Sequence, residues 1–155
     1  MKSFSFIHTA DLHLDSPFSG LRQVDGEIAD LLKDATFRAF DNVVELALKN
    51  KVDFLLVAGD VYDAADRSLR AQLKFADGLK KLANAGIRSF VCHGNHDPLD
   101  GWIASLQWPE EVHIFGPELE SVPVTLGGED VVPVSYTHLR AHETADVISY
   151  AVFCL

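Results

Sequence analysis

Phe4, Phe6 and Ile7 open the chain in a short β-prone run that ends at Ala10. From about Val24 to Lys49 the pattern changes. Ile28, Leu31, Leu32, Ala35, Ala39, Val43, Leu46 and Ala47 recur at three- and four-residue steps, which predicts a helix with that face buried. The next apolar run, Phe54 to Ala58, does not alternate, and such a strand suits a parallel sheet covered on both faces. Leu69, Leu73, Ala76, Leu79, Leu82 and Ala83 predict a second helix, capped by Asp66 or Ser68 and closed by Gly86. Ile87 to His93 reads as a third strand. A short helix near Trp102–Leu106 and a brief strand at His113-Ile114-Phe115 follow. Val122, Val124 and Leu126 then alternate into a hairpin turn at Gly127-Gly128. Strand–helix–strand–helix–strand predicts right-handed βαβ crossovers and an α/β layered fold.

Polar residues gather where the first three strands end. The first runs into Asp11-Leu12-His13, the second into Gly59-Asp60-Val61-Tyr62-Asp63, the third into Gly94-Asn95-His96-Asp97. Sites in open α/β sheets form outside the carboxyl ends of the strands. Neighbouring strands lie about 5 Å apart, so the three clusters converge on one small volume. Asp11, Asp60, Asn95, His13 and His96 would then surround it, an oxygen and nitrogen set that suits manganese or iron better than copper. Asp60, arriving from its own strand, could bridge two ions. Gly59 and Gly94 would allow tight turns and positive φ directly before the ligands.

Each cluster has a plainer reading. An Asp two residues before a His is commonly a turn or cap, an Asp after a strand commonly caps the next helix, and Gly-Asn-His-Asp alone could be an Asx-rich turn. Three such clusters at three successive strand ends favour a metal site. His8 is expected to be a core histidine, His93 a candidate pocket wall and His113, beside Glu110 and Glu111, a surface residue. Trp102 and Trp108 are expected to pack, and Asp15 to cap the turn at Ser16-Pro17.

Composition narrows the class. The 155 residues are 48% hydrophobic, enough for one domain or a large piece of one. The formal net charge of −10 leaves no obvious basic face for a phosphate backbone. Two cysteines, Cys92 and Cys154, make neither a disulfide framework nor a zinc cluster. The N-terminal apolar run meets Asp11 too soon for a signal peptide, and no stretch is long enough to span a membrane. The expected setting is the reducing cytoplasm.

"ADLHLD", "AGDVYD" and "GNHD" resemble, in order, the first three motifs of the calcineurin-like metallophosphoesterases. The flanking "FIHTADLHLDSPFSGL" and "VDFLLVAGDVYD" are similar to the SbcD-like DNA repair exonucleases, although the best-known members carry glycine where Asp15 stands. The resemblance covers roughly residues 4 to 133. It implies the N-terminal βαβαβ portion of a layered metallophosphoesterase fold and two divalent metal ions, manganese being the expected one. It further implies DNA as substrate and an SMC-like ATPase subunit as partner. By the resemblance, Asp11 and His13 bind the first ion, Asp60 bridges both, and Asn95 binds the second. His96 protonates the leaving oxygen, Asp63 orients His96, and Asp97 helps to hold the turn. The family's later histidines, one in a downstream loop and a pair in a G-H-x-H motif, have no match, because only His113, His138 and His142 follow.

Val134 to Leu155 resembles something else, a conceptual translation of a sequencing-library adapter. Val134–Thr144 and Ile148–Leu155 read as its constant parts, and Ala145-Asp146-Val147 as a variable index. The expected division is therefore 1–133 as native metallophosphoesterase sequence and 134–155 as a non-native tail with no family fold role. Without the tail the charge is −9, so the electrostatic argument stands.

Three functions follow as expectations. The first is metal-dependent phosphodiester hydrolysis as a DNA exonuclease, impaired in this chain by the absent histidines. The second is a phosphatase or small-molecule phosphodiesterase of the same superfamily, which the acidic balance favours. The third is a non-catalytic scaffold with a relic site.

Overall fold

The computed structural model describes residues 4–16, 34–63, 68–94, 107–116, 118–126, 129–136 and 150–154. Four strands, β1 (Phe6–Thr9), β2 (Phe54–Ala58), β3 (Arg88–Cys92) and β4 (Val112–Ile114), form a parallel sheet in the order β1-β2-β3-β4. Helix α1 (Ala35–Asn50) links β1 to β2, and α2 (Leu69–Asn84) links β2 to β3. This is the α/β arrangement that the alternation of periodicities predicts. A second, antiparallel sheet holds β5 (Glu120–Ser121), β6 (Val124–Leu126), β7 (Glu129–Tyr136) and β8 (Tyr150–Cys154).

Strand β2 explains the layering. Leu55 and Val57 join the helix-side core with Phe40, Val44, Phe75, Leu79 and Leu82. Phe54 and Leu56 point the other way, into a cluster with Phe90, Cys92, Phe115, Val124 and Val131. Both faces are covered, so successive residues can all be apolar. Helix α2 starts as expected: the Ser68 hydroxyl accepts from the Ala71 amide at 2.9 Å. It also closes as expected, with Gly86 at φ +76 and its amide bonded to the Ala83 carbonyl.

Several expectations are corrected. The described part of the first helix begins at Ala35, and 24–33 lies outside the described residues. Its buried face is Phe37, Phe40, Val44 and Ala47, with Leu46 exposed, because the two phenylalanines occupy the space over the sheet and rotate the helix off the Ala39–Val43–Leu46 stripe. On α2, Leu69 and Leu73 are likewise exposed, and the buried stripe runs through Ala71, Phe75, Leu79 and Leu82. His8 is exposed rather than core: it faces the Leu56 side, but β1 is the outer strand and the side chain reaches solvent. His113 is half-buried rather than surface. Pairing of β4 with β3 sets it beside Phe90, with its ring edge-on to Phe115 at 4.7 Å between centroids.

Trp108 packs against the helix-side core, whereas the helix expected near Trp102–Leu106 lies outside the described residues. Leu126 and Glu129 pair in register, and the turn expected at Gly127-Gly128 lies outside the described residues. Strand β7 continues past Pro133, and β8 pairs with it, so part of 134–155 is built as strand. Among the described residues no helix is long and apolar enough to cross a membrane.

Candidate metal centre

Beyond β1 and β2 the chains leave the sheet side by side. The Asp11 amide donates to the Gly59 carbonyl at 3.2 Å, His13 to Asp60 at 3.0 Å and Leu14 to Val61 at 2.9 Å. The parallel register therefore extends past the strands and carries the two motifs forward together. Gly59 is in turn tied to β3, its amide donating to the Cys92 carbonyl at 3.1 Å.

One ligand atom each from Asp11, His13 and Asp60 lies within 4.8 Å of the others. Two carboxylates that close repel by about 3 kcal/mol at an effective dielectric of ~20, and a divalent cation between them reverses the sign. Carboxylate oxygens and one imidazole suit manganese-like ions. The donor set thus fits the metal that the motifs imply.

The backbone here is unusual. Asp11, His13 and Asp60 have φ values of +52°, +41° and +50°, and Gly59 has +77°. Left-handed backbone costs a non-glycine residue roughly 1–2 kcal/mol, and it persists where surrounding bonds over-determine it. The loop-to-loop hydrogen bonds do that. Gly59 has the positive φ expected of it. Gly94 has no positive φ and is required for a different reason. A Cβ there would sit 2.7 Å from Asp60 Cγ and closer still to Asp60 Oδ1 and N. The chain after β3 passes directly over the Asp60 carboxylate, and only a glycine leaves it room.

His13 is oriented by Asp63. Its Nδ1 lies 2.9 Å from Asp63 Oδ1, and a carboxylate can only accept, so Nδ1 carries the proton. Nε2 is left with its lone pair for a metal, the carboxylate–histidine arrangement that fixes both tautomer and ring. The Ser16 hydroxyl donates to Asp63 Oδ2 at 2.5 Å. Among the described residues Asp63 pairs with His13 and Ser16, and its expected contact with His96 lies outside them. Asn95, His96 and Asp97 lie outside the described residues, so Asp11, His13, Asp60 and Asp63 are the predicted site residues found together.

By sequence Ser16 and Asp15 are turn formers only. A side-chain partner nearly fifty residues away leaves no trace in local spacing, and the one available signal was the density of hydrogen-bonding residues directly after the ligands. His93, the candidate pocket wall, is buried at the end of β3.

Residues 4–147 match the calcineurin-like phosphoesterase family, a span that runs past the boundary expected at Pro133. The chain is 44% identical over 115 residues to the uncharacterized metallophosphoesterase YhaO of Bacillus subtilis, covering 74% of this chain and 28% of that protein. It is 36% identical over 91 residues to the DNA double-strand break repair protein Mre11 of Aeropyrum pernix, covering 59% and 20%. With the SbcD component of the SbcCD nuclease of Rhodobacter capsulatus it shares 34% over 119 residues, covering 71% and 26%. The chain therefore spans under a third of the length of these relatives. With its first two motifs folded into one carboxylate–imidazole cluster and the match running over most of its length, the chain belongs to the calcineurin-like phosphoesterase family.

Proposed function

We propose that the chain carries the core of a metal-dependent phosphodiesterase that acts on DNA as an exonuclease. The observation that supports it most is the meeting of Asp11, His13 and Asp60 at the ends of two adjacent parallel strands. When bound, two divalent ions, manganese by expectation, supply neutralisation of the phosphate and activation of water. Asp11 and His13 would hold one ion, Asp60 would lie between both, and Asn95 would serve the second. Asp63 and Ser16 keep His13 in the tautomer that presents Nε2. His96 would hold the proton for the leaving oxygen, since an imidazole titrates in the right range, and Asp97 would steady its turn. The DNA reading leans on the Mre11 and SbcCD likenesses, and an SMC-like ATPase partner on the resemblance of the flanking sequence to the SbcD-like exonucleases.

A second reading, hydrolysis of small phosphoesters, is favoured by the net charge of −10, which does not attract a polyanion. The test is Mn2+-dependent hydrolysis of linear duplex DNA against an aryl phosphodiester, using the gene's full reading frame and its Asp60→Asn variant. DNA cleavage that Asp60→Asn removes is the expected result. Turnover of the aryl ester with intact DNA would move the substrate to the second reading, and no metal-dependent turnover of either would end both.

A further inference from the structure

Asp15 follows the ligand pair by two residues and is bound on several sides. Its amide donates to the Thr36 hydroxyl at 3.2 Å, in the first turn of α1. Its Oδ2 accepts from the Ser68 hydroxyl at 2.5 Å, and Ser68 is the N-cap of α2. Its Oδ1 lies 3.9 Å from Arg70 Nη1, while Arg70 also pairs with Asp34 at 2.6 Å and covers the Phe37 ring. Asp15 does this from φ +66°, a backbone state that any residue but glycine adopts at a cost. A turn former needs none of these long-range contacts. The side-chain contacts with Ser68 and Arg70 reach 53 and 55 positions along the chain, which is the reach of a fastening rather than of a turn.

We infer that Asp15 is a positioning residue that fastens the loop carrying Asp11 and His13 to the N-terminal ends of both helices. The inference rests on reading the cluster as a metal centre. The loop has the positive-φ residues Asp11, His13 and Asp15 within five positions and is held on one side by the strand-like bonds to Gly59, Asp60 and Val61. Asp15 supplies the other side. Released there, the loop keeps its fold but loses the fixed spacing between Asp11 and Asp60. Groups behind metal ligands typically change affinity 10–100-fold when removed, and one acting through the backbone belongs at the lower end, on the order of tenfold.

The experiment is a calorimetric Mn2+ titration of the wild type and of Asp15→Gly, Asp15→Asn, Ser68→Asp and Asp60→Asn, at a temperature where all are folded, with melting curves alongside. Asp15→Gly relaxes the backbone but removes the carboxylate, and its Kd should rise about tenfold. Asp15→Asn keeps an acceptor for Ser68 and tolerates the left-handed backbone, so its Kd should stay within threefold of wild type. Ser68→Asp keeps a helix cap but removes the donor, and it should behave like Asp15→Gly. Binding lost in Asp60→Asn, with Asp15→Gly and Ser68→Asp at wild-type affinity, would overturn the positioning role and leave the metal centre standing. A lower melting temperature with unchanged Kd in Asp15→Gly would reduce Asp15 to a structural residue. Equal losses in Asp15→Asn and Asp15→Gly would overturn the hydrogen-bond fastening. A wild type that binds no Mn2+ would remove the metal centre and this inference together.

Discussion

Gly94→Ala tests the centre with a single methyl group. The added Cβ would stand 2.7 Å from Asp60 Cγ. Carbon–carbon contact is comfortable only from about 3.5 Å, so the Asp60 carboxylate has to retreat by at least about 0.8 Å, and by more to clear Oδ1, which stands closer still. The backbone offers little relief. Asp60 N is also too close to the new atom, and the neighbouring Gly59 is bonded to Cys92. On the other side, Gly59 itself faces Gly94 Cα, 3.0 Å from where its own Cβ would stand. Metal–ligand distances tolerate roughly 0.2 Å, so a shift several times larger removes Asp60 from the set.

The expected loss of Mn2+ affinity is about 100-fold, the upper end for groups around a metal, and should approach that of Asp60→Asn. Overpacking should also lower stability by about 1–3 kcal/mol, read as several degrees in a melt. Gly116→Ala is the control, since it has no neighbour within 4 Å and no positive φ, and it should be silent in both assays. A Gly94→Ala protein that binds Mn2+ within twofold of wild type would refute the close approach of β3's exit to the Asp60 carboxylate.

The remaining predictions need the same two assays. Asp63→Ala frees the His13 tautomer and should weaken Mn2+ binding about 10–100-fold with the fold retained, while Ser16→Ala, one bond further out, should have a smaller effect; equal binding in wild type and Asp63→Ala would count against Nε2 as the ligand. Mn2+ at 100 times its Kd should stabilise the wild type by about 2.7 kcal/mol and leave Asp60→Asn unmoved, and a melting shift common to both proteins would place the ion elsewhere. Gly78→Ala on α2 gains about 1 kcal/mol of helix propensity but drives a Cβ within 2.7 Å of the buried Phe40 ring, so its melting temperature should fall, and a rise would show that the ring yields. Removal of 137–155 should leave Mn2+ affinity unchanged; a loss would give that segment a part in the site.

The fold was readable where one force acts along the chain. An unbroken apolar run at Phe54–Ala58 has one stable use, a strand covered on both faces, and the sheet uses it that way. Ser68 and Gly86 act within a few residues of themselves, and both were found in their expected roles. Helix faces were read less well, because Leu46, Leu69 and Leu73 fit a periodic stripe as well as their buried neighbours do. Volume decides between such stripes, and Phe37, Phe40 and Phe75 fill the space over the sheet, which spacing alone does not weigh. The site divides in the same manner. Strand order places Asp11, His13 and Asp60 together, and strand order follows from the βαβ rhythm. That Asp63 also reaches His13, and what holds Asp15, depends on contacts made across nearly fifty residues and more. Gly94 shows why the two kinds of information differ. Its sequence context suggested a need for positive φ, whereas its surroundings impose a need for empty space beside Asp60. A glycine before a ligand therefore has two causes that look identical in sequence. Alanine at Gly59 meets an unfavourable backbone angle together with Gly94 Cα at 3.0 Å, whereas at Gly94, with no positive φ, it meets only crowding, by the Asp60 carboxylate and amide.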